Sequence, residues 1–396
     1  MAKTFHHRLI DSELNIQADS FYADGQTLTP DCPEPWWVCK YRLRGGRQEG
    51  VEIVELHNGR LTIRIVPTRG MSILDVTMDD VRLGWDSPVK EIVHPMFIDP
   101  HSRGGLGWLE GFNEYLVRCG LEWFGPPCQD THHHAPGEAA AGNLTLHGKI
   151  ANIPASRLEL EVETSPPYRL RLRGLVRERM LFGPKLDLET ELITTPGSST
   201  FTVTDRMTND SAGDEEFGLL YHINHGRPLL EAGSEVVAPA ARVTPMTQRA
   251  TEGGVDNYAK YAGPRHGYTE QNYMLDLAAD RAGRTEVMLR NRAGSRGVSI
   301  AFQKQQLPCF TIWKNTQHES DGYVTGLEPG TNYPYPRPAE RKAGRVPRLR
   351  SGETFTATLE FSLHGSPAQV RKAAARIAAI QGRRKTLFEP QPPKLD

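Results

Sequence analysis

Apolar and polar residues alternate one by one along most of this 396-residue chain, in runs that end at Gly, Pro, Asn or Asp. A period of two is typical of β-strands that bury one face and expose the other. The 37 Gly and 29 Pro supply the many turns that such strands need. The pattern therefore predicts an all-β fold, a large and largely antiparallel β-sandwich with a few short helices. The clearest predicted strands are Val51–Leu56, Leu61–Pro67, Leu158–Thr164, Tyr168–Val176, Lys185–Thr194, Thr200–Asn209, Gly297–Gln303 and Thr354–Leu363.

Helical periodicity is convincing only near the C-terminus, over Pro367–Gln381. There Val370, Ala374, Ile377 and Ile380 fall on one face, with Arg and Lys on the opposite face. We expect this helix to pack as a cap on the edge of the sandwich.

The ends of the chain differ in composition from its middle. Residues 1–40 are predicted to form an irregular leader with one or two short strands. Residues 41–381 are predicted to form a single β domain, and the charged, proline-rich residues 382–396 a disordered tail. The insert Gln129–Gly142 is low in apolar content and predicts a surface loop.

Charge and cysteine content narrow the class of protein. The chain has 47 Lys and Arg against 48 Asp and Glu, a net charge of −1, and its basic residues form no stripe with interleaved aromatics. A nucleic-acid partner is therefore not expected. No apolar window approaches the length of a membrane span, so no membrane partner is expected either. The 5 cysteines are odd in number and lack CxxC spacing, which favours a reducing cytoplasm.

One glutamate stands where acid/base chemistry could use it. Glu328 follows the strand-like run Tyr323–Leu327 and precedes the turn-like segment Pro329–Asn332. The proline biases Glu328 toward an extended conformation, and apolar neighbours would raise the pKa of its carboxyl toward that of a working base. The alternative is an ordinary solvated glutamate at a junction between strand and turn.

A second candidate cluster lies in Phe217–Pro228, which contains His222, Asn224 and His225. On an extended strand His222 and Asn224 share one face, while His225 points to the other. His222 follows an apolar run and should stand in a pocket, where a histidine can act as a general acid. A core histidine hydrogen-bonded to a neighbouring strand is the structural alternative.

Other polar residues interrupt apolar segments and are candidates for ligand binding. His147 precedes Gly148, which would let a ligand or another backbone come close. Arg118 and Arg69 lie within or at the ends of apolar strands, so each needs a carboxylate or a hydroxyl-rich ligand. For Arg69 a structural ion pair is equally plausible.

Trp313 and Lys314 lie on the strand-like segment that leads toward Glu328. Trp313 could stack on a sugar ring and Lys314 could hydrogen-bond to its hydroxyls. A tryptophan that only packs against neighbouring strands is the alternative for Trp313.

The sequence offers little for a metal or a nucleotide. His132, His133 and His134 are consecutive, cannot all point at one ion from an extended strand, and have no carboxylate at ligand spacing. The chain has neither a glycine-rich phosphate loop nor a GxSxG elbow. We therefore expect no metal and no cofactor.

The order of several segments resembles the aldose 1-epimerase or galactose mutarotase superfamily, over about residues 50–365. The closest resemblance is to a bacterial branch with a PTRGM segment, which this chain has at Pro67–Met71. The other segments that carry the resemblance are Leu83–Pro88 (LGWDSP), Leu116–Gly120 (LVRCG), Leu144–Gly148 (LTLHG), Leu220–Gly226 (LYHINHG), Gly326–Asn332 (GLEPGTN) and Leu349–Leu363.

The resemblance implies a β-supersandwich and a division of roles within one site. In that family a glutamate takes the proton of the anomeric hydroxyl and a histidine protonates the ring oxygen, which here would be Glu328 and His222. A second histidine and an arginine bind sugar hydroxyls, which here would be His147 and Arg118. Asn332, in the GLEPGTN segment, is a further binding candidate.

The chain departs from the family pattern in two places. The segment YHINHG replaces the usual TNHxYFN-like stretch, so either His222 or His225 could be the acid, with Asn224 beside them. The family's sugar-binding aspartate has no clean counterpart, and Glu270 or Gln271 lies at a similar place in the order. We therefore expect a specificity other than galactose or glucose.

The expected function is interconversion of the anomers of a free sugar or sugar derivative by acid/base ring opening and closure. Two other classes stay open: a carbohydrate-binding or sensing protein without turnover, and a sugar isomerase or lyase that uses the same cleft. The residues do not specify the sugar, any phosphate on it, or whether the protein is a monomer or a homodimer.

Overall fold

The computed structural model describes residues 4–131 and 142–395, and in this part of the chain most regular structure is β-strand. His132, His133 and His134, with most of the predicted loop Gln129–Gly142, lie outside the described residues. The described strands are β1 Thr4–Asp11, β2 Ile16–Gln17, β3 Phe21–Asp24, β4 Trp37–Arg42, β5 Glu52–His57, β6 Thr62–Val66, β7 Ser72–Met78, β8 Val81–Leu83, β9 Leu116–Leu121, β10 Cys128–Asp130, β11 Gly142–Leu144, β12 Arg157–Glu163, β13 Leu170–Arg179, β14 Lys185–Thr194, β15 Thr200–Asn209, β16 Glu215–Glu216, β17 Gly218–His225, β18 Glu235–Val237, β19 Ala240–Pro245, β20 Gln271–Leu277, β21 Arg284–Arg290, β22 Gly297–Gln303, β23 Cys309–Thr316, β24 Tyr323–Gly330, β25 Arg348–Leu349, β26 Thr354–His364 and β27 Leu387–Phe388.

The helices are few and mostly short. The α-helices are α1 Gly25–Leu28, α2 Ser102–Gly105, α3 Arg337–Lys342 and α4 Pro367–Gln381. Single turns of 3₁₀ helix occur at Gly46–Gln48, Pro67–Arg69, Pro95–Phe97, Gly107–Gly111, Ile150–Asn152, Gln248–Thr251, Val255–Ala259 and Glu319–Asp321.

Two large sheets contain most of the strands. One has ten strands in the order β18-β21-β22-β26-β15-β14-β13-β12-β1-β2. The other has thirteen, in the order β27-β19-β20-β23-β24-β17-β9-β7-β6-β5-β4-β3 with β8 beside β7. Neighbouring strands in both are antiparallel except β19 and β27. The all-β, antiparallel sandwich predicted from the alternation is therefore confirmed.

The burial pattern of individual strands helps to locate the site. In β12 every second residue, Leu158, Leu160 and Val162, is buried in the core, and the residues between them are only half-buried. In β17 and β24 every residue is buried. One face of these two strands packs in the core, and the other lies beneath loops, where a closed pocket can form.

Helix α4 spans the predicted residues and caps the ten-stranded sheet. Val370, Ala373 and Ile377 are buried and cluster with Met288 of β21. Ser366 caps the N-terminus of the helix by accepting from the backbone N–H of Gln369.

The two ends of the chain are more ordered than expected. The first forty residues hold three complete strands and part of a fourth, and β1 pairs along its length with β12. The tail contains β27, which pairs in parallel with β19. Both segments gain their order from pairing with distant strands, which local composition does not report. The division into one domain stays a prediction.

Cys32, Cys39, Cys119, Cys128 and Cys309 are free thiols. Within residues 4–131 and 142–395 no helix is long and apolar enough to cross a membrane. The cytoplasmic location inferred from the cysteines stays a prediction.

Candidate active site

A cavity of about 250 Å³ opens on the loop-covered face of the thirteen-stranded sheet. It brings together five of the residues chosen from the sequence: His147, His222, Glu270, Trp313 and Glu328. The remaining lining residues are Trp108, Leu109, Phe112, Pro126, Leu146, Met246, Asn272 and Pro334.

The register between β17 and β24 places the two proposed catalytic groups side by side. Leu220 pairs with Gly330 and Ile223 with Leu327, so the same register sets His222 opposite Glu328. The Nε2 atom of His222 lies 3.3 Å from Oε1 of Glu328. That contact lacks hydrogen-bond geometry, and Oε1 has no other partner in the described structure. The oxygen can therefore accept or donate a proton to a substrate.

Glu328 lies inside its strand and not at the end of it, because β24 continues through Pro329 to Gly330. The side chain is only 3% exposed. Burial raises the pKa of the Glu328 carboxyl well above its usual value, and the nearby Glu270 raises it further. Such a carboxyl keeps its proton to an unusually high pH, as an acid/base catalyst requires.

Asn224 fixes the orientation and tautomer of His222 from behind. Its Nδ2 donates to the carbonyl of Glu114 at 3.0 Å, so Oδ1 faces Nδ1 of His222 at 2.7 Å and must accept from it. Nε2, which faces the cavity, therefore carries the lone pair of the neutral ring. Burial lowers the pKa of His222 to about 4, so the ring is neutral at pH 7.

His147 enters the cavity from a tight turn. Its backbone lies in the left-handed region at φ 59°, and the next residue, Gly148, has φ 74°. A Cβ on Gly148 would collide with the carbonyl oxygens of Gly120 and Trp123, so only glycine fits there. Burial, with a smaller contribution from His222, lowers the pKa of His147 well below its usual value. His147 therefore presents a neutral ring to the cavity.

The wall beside Glu328 comes from β20 and β23. Asn272 pairs with Trp313, and the Nε1 of Trp313 donates to Oε2 of Glu270 at 2.6 Å. Of the two residues left open by the sequence, Glu270 lines the cavity, while Gln271 donates to the backbone carbonyl of Arg249. Glu270 and Trp313 thus form one edge of the cavity.

The aromatic floor of the cavity was missed in the sequence analysis. Trp108 and Phe112 come from the segment Gly107–Phe112, and their rings lie 5.9 Å and 5.0 Å from the ring of His222. The indole N–H of Trp108 is buried without a partner. The feature of the sequence that could have indicated this floor is the segment GLGWLEGF, which is rich in glycine, lies between strands and contains both large aromatic residues.

The two arginines predicted to bind substrate do not reach the cavity. Arg118 points into the core, where its Nε and Nη2 donate to the two carboxylate oxygens of Asp205 at 2.5 Å and 3.0 Å. Arg69 donates to Glu114 at 2.6 Å and to Asn152 at 2.8 Å. Both guanidinium groups are buried and paired with carboxylates inside the protein, so they are not available to a ligand in this cavity.

Three other candidates also lie away from the cavity. His225 is on the opposite face of β17, its ring 5.3 Å from that of Tyr115 in the core. The Nζ of Lys314 donates to the carbonyls of residues 257 and 260, and burial lowers its pKa to about 8. The amide of Asn332 accepts from Thr331 and donates to the carbonyl of Tyr333. His222, and not His225, is therefore the histidine available to act with Glu328.

A larger cavity, about 580 Å³, lies beneath the C-terminal segment. Several of its charged side chains pair with one another or with neighbours, as Arg242 does with Glu389 and Arg345 with Glu340. It contains no buried acid/base pair like Glu328 and His222. In the described ranges, no three His, Cys, Asp or Glu side chains lie together as a metal site would require.

The carboxyl of Glu328 lies directly over the Cα of Gly326, and a Cβ there would collide with Oε1. Gly326 has no unusual backbone conformation, so Gly326→Ala should fold and displace only the carboxyl. We expect kcat/KM of a reaction that uses this pair to fall by about tenfold or more, because displacements near 1 Å are costly in a reacting pair. The comparison is Gly213→Ala, where a Cβ meets nothing within 4 Å. Equal activity of the two variants would contradict this role for Gly326.

Comparisons with known proteins identify the family of this chain. Residues 48–363 match the family described as domain of unknown function DUF4432, and the chain belongs to that family. The predicted membership in the aldose 1-epimerase and galactose mutarotase-like superfamily is also confirmed. No protein with a curated description matches the chain.

Several solved structures share this fold. A candidate aldose 1-epimerase from Klebsiella pneumoniae is 39% identical, with 99% of this chain and 100% of that chain covered and a TM-score of 0.94. A galactose mutarotase-like protein from Clostridium acetobutylicum is 13% identical, covering 83% and 99%, with a TM-score of 0.58. A galactose 1-epimerase from Lactobacillus acidophilus is 12% identical, covering 83% and 99%, with a TM-score of 0.52. The last two are similar in fold alone.

Proposed function

We propose that this protein is an aldose 1-epimerase that interconverts the anomers of a free monosaccharide. The observation that carries the proposal is the convergence of one buried carboxyl, Glu328, and one buried neutral imidazole, His222, on a cavity of about 250 Å³. Aromatic walls of this kind bind the apolar faces of sugar rings. The reaction uses only side chains of this chain and the sugar itself.

The pair has one proton to transfer. With Glu328 protonated and Nε2 of His222 unprotonated, neither group carries charge in the buried site, which is the arrangement that burial favours. One group takes the proton from O1 as the other protonates the ring oxygen, the C1–O5 bond breaks, and C1=O1 forms. Rotation about C1–C2 and reclosure with the roles reversed give the other anomer and restore the pair.

Because the pair holds one proton, either Glu328 or His222 can begin the reaction as the acid, with the other as the base. Burial favours a start with Glu328 as the acid and His222 as the base, the reverse of the assignment implied by the family resemblance. Both assignments need one proton on the pair, so they give the same dependence of rate on pH. We propose that His147 and Trp108, each with an unpartnered ring nitrogen beside the cavity, hold the sugar hydroxyls during the reaction.

The pH dependence of kcat/KM should show a plateau that extends across neutral pH. A second proton on His222 inactivates the pair, so activity should fall as the pH drops through about 4. At high pH, above the raised pKa of the Glu328 carboxyl, loss of the proton from Glu328 inactivates the pair. A pair with ordinary pKa values, 4.5 for the carboxyl and 6.5 for the imidazole, would lose activity above 6.5. Polarimetry from pH 3 to pH 10 measures the two limbs, and a decline centred near 6.5 would contradict the neutral pair.

The direct test is polarimetry on freshly dissolved single anomers of a panel of aldoses and their derivatives, with and without the protein. The proposal expects at least one sugar to equilibrate faster than in buffer. Calorimetry on the same panel separates the alternatives: a sugar that binds without any acceleration indicates a binding protein. If no sugar is accelerated, the epimerase proposal fails.

A further inference from the structure

Among the side chains that line the cavity in the described structure, the exposed Glu270 supplies the one carboxylate, because burial keeps the proton on Glu328. Glu270 and Glu328 both line it, and the two histidines beside them, His147 and His222, have lowered pKa values and are neutral. Among the lining residues in the described part of the chain there is no Arg and no Lys. A ligand that enters this cavity therefore meets negative charge without a balancing cation from the protein.

Several buried carboxylates elsewhere in the described structure lie against cationic side chains, whereas Glu270 is an exposed residue. Asp205 pairs with Arg118 at 2.5 Å, and Glu286 pairs with Arg376 at 2.6 Å. Glu270 has no ion pair within the described ranges, and its contact with a donor is the indole N–H of Trp313. Glu328 is buried with an unpartnered oxygen. Because the buried Glu328 keeps its proton, the carboxylate of Glu270 is the charged group among the described lining residues, and a ligand that brings positive charge would be attracted to it.

We propose that the substrate is a basic amino sugar and that Glu270 selects it. The inference rests on the proposed function, because it assumes that the anomeric end of a sugar lies between Glu328 and His222. An ammonium group has three donors, whereas a hydroxyl has one. An ammonium therefore suits a carboxylate that already accepts one hydrogen bond from Trp313. Sugars with phosphate, sulfonate or carboxylate groups are disfavoured by the same field.

The arrangement of strands indicates which carbon bears the amine. Glu328 lies over Gly326, Gly326 pairs across the sheet with Trp313, and Trp313 holds Glu270. Glu270 is thus the next group along the wall from the carboxyl that acts at C1. The substituent on C2 is the neighbour of the anomeric oxygen, so a 2-amino-2-deoxy aldose fits best. The cavity volume, about 250 Å³, has room for one sugar ring.

Calorimetry at pH 6, where the amine is protonated, tests this preference without requiring turnover. The ligands are glucosamine and galactosamine, each compared with its parent aldose, and glucose 6-phosphate. We expect each amino sugar to bind about fivefold more tightly than its parent, the gain of one partly exposed ion pair. The phosphate should bind more weakly than glucose. Amino sugars that bind no more tightly than their parents would overturn the proposal.

Glu270→Gln keeps an acceptor for Trp313 and removes the charge, so it should abolish the preference for the amine. Asp214→Asn, at an exposed position outside the cavity lining, makes the same change in net charge and should leave the preference intact. A preference that persists in Glu270→Gln would overturn the role of Glu270. If no sugar of any charge binds, the proposed function itself has failed. If uncharged sugars bind and are epimerised but amino sugars have no advantage, only this inference has failed.

Discussion

Glu328→Gln should abolish catalysed interconversion of anomers and leave the protein at least as stable as the wild type. The amide keeps the shape of the carboxyl and can neither lose nor donate a proton as an acid. Removal of one member of an acid/base pair typically costs about 10² to 10⁴ in rate. Polarimetry on any sugar that the wild type accelerates measures this loss.

The effect of Glu328→Gln on stability should depend on pH with a defined sign. The pKa of the folded carboxyl is raised above 4.5, its usual value. The unfolded state therefore ionises first, and the free energy of unfolding of the wild type falls as the pH rises from about 4.5 through the folded pKa. The amide of the variant does not titrate, so the variant's advantage in unfolding free energy should grow over that range. Urea denaturation at pH 4, 6 and 8 measures it.

The matched control for this prediction is Glu286→Gln. Glu286 is also buried but pairs with Arg376 of α4, away from the cavity. Its replacement should lower the free energy of unfolding and leave the rate for the folded protein unchanged. If Glu328→Gln lost stability like the control and retained its rate, Glu328 would be a structural residue.

Strands of the ten-stranded sheet were predictable where the alternation of apolar and polar residues is visible within the strand's own sequence. The predicted segments Lys185–Thr194, Thr200–Asn209 and Gly297–Gln303 have the observed ends. In Lys185–Thr194 and Thr200–Asn209 buried and half-buried residues mostly alternate, so the period of two is visible in the sequence, whereas Gly297–Gln303 is an almost continuously buried run. β1 has a weaker alternation and depends on its pairing with β12, so the leader was underestimated.

The sequence predicted residues of the site only where a side chain capable of acid/base chemistry interrupts an apolar strand. His222 and Glu328 are polar residues in apolar strands, and the ordered motifs marked both. The sequence could not choose between His222 and His225 because every residue of β17 is buried, which leaves no alternation to reveal the cavity face. The aromatic floor at Trp108 and Phe112 comes from a connecting segment, and such segments have no period to read.

Arg118 shows a case in which a correct physical premise did not identify the partner. A guanidinium in an apolar strand does require a carboxylate or a ligand. For Arg118 that carboxylate is Asp205 on β15, which is 87 residues away in the chain and becomes its neighbour only when the two sheets pack. Nothing in the local sequence distinguishes this arrangement from a sugar contact.

Arg118→Met should therefore destabilise the fold by about 3 to 5 kcal/mol, the typical effect of removing one partner of a buried ion pair. The loss leaves the carboxylate of Asp205 in the core without its cationic partner, although Thr190 still donates to it, and it frees the carbonyl of Met71, which accepts from Arg118 in the wild type. Denaturant unfolding measures the change. For protein that remains folded, the affinity for sugar should change little, because the guanidinium does not line the cavity.

Two further variants separate a structural role of Arg118 from a binding role. Arg118→Met with Asp205→Asn should recover part of the lost stability, because the uncompensated charge is gone. Arg44→Met removes an exposed partner of Glu49 and should change the unfolding free energy by about 1 kcal/mol or less. If Arg118→Met kept its stability and lost affinity for sugar, the guanidinium would be a substrate ligand after all. The pairing at 2.5 Å and 3.0 Å with both oxygens of Asp205 argues for the structural result.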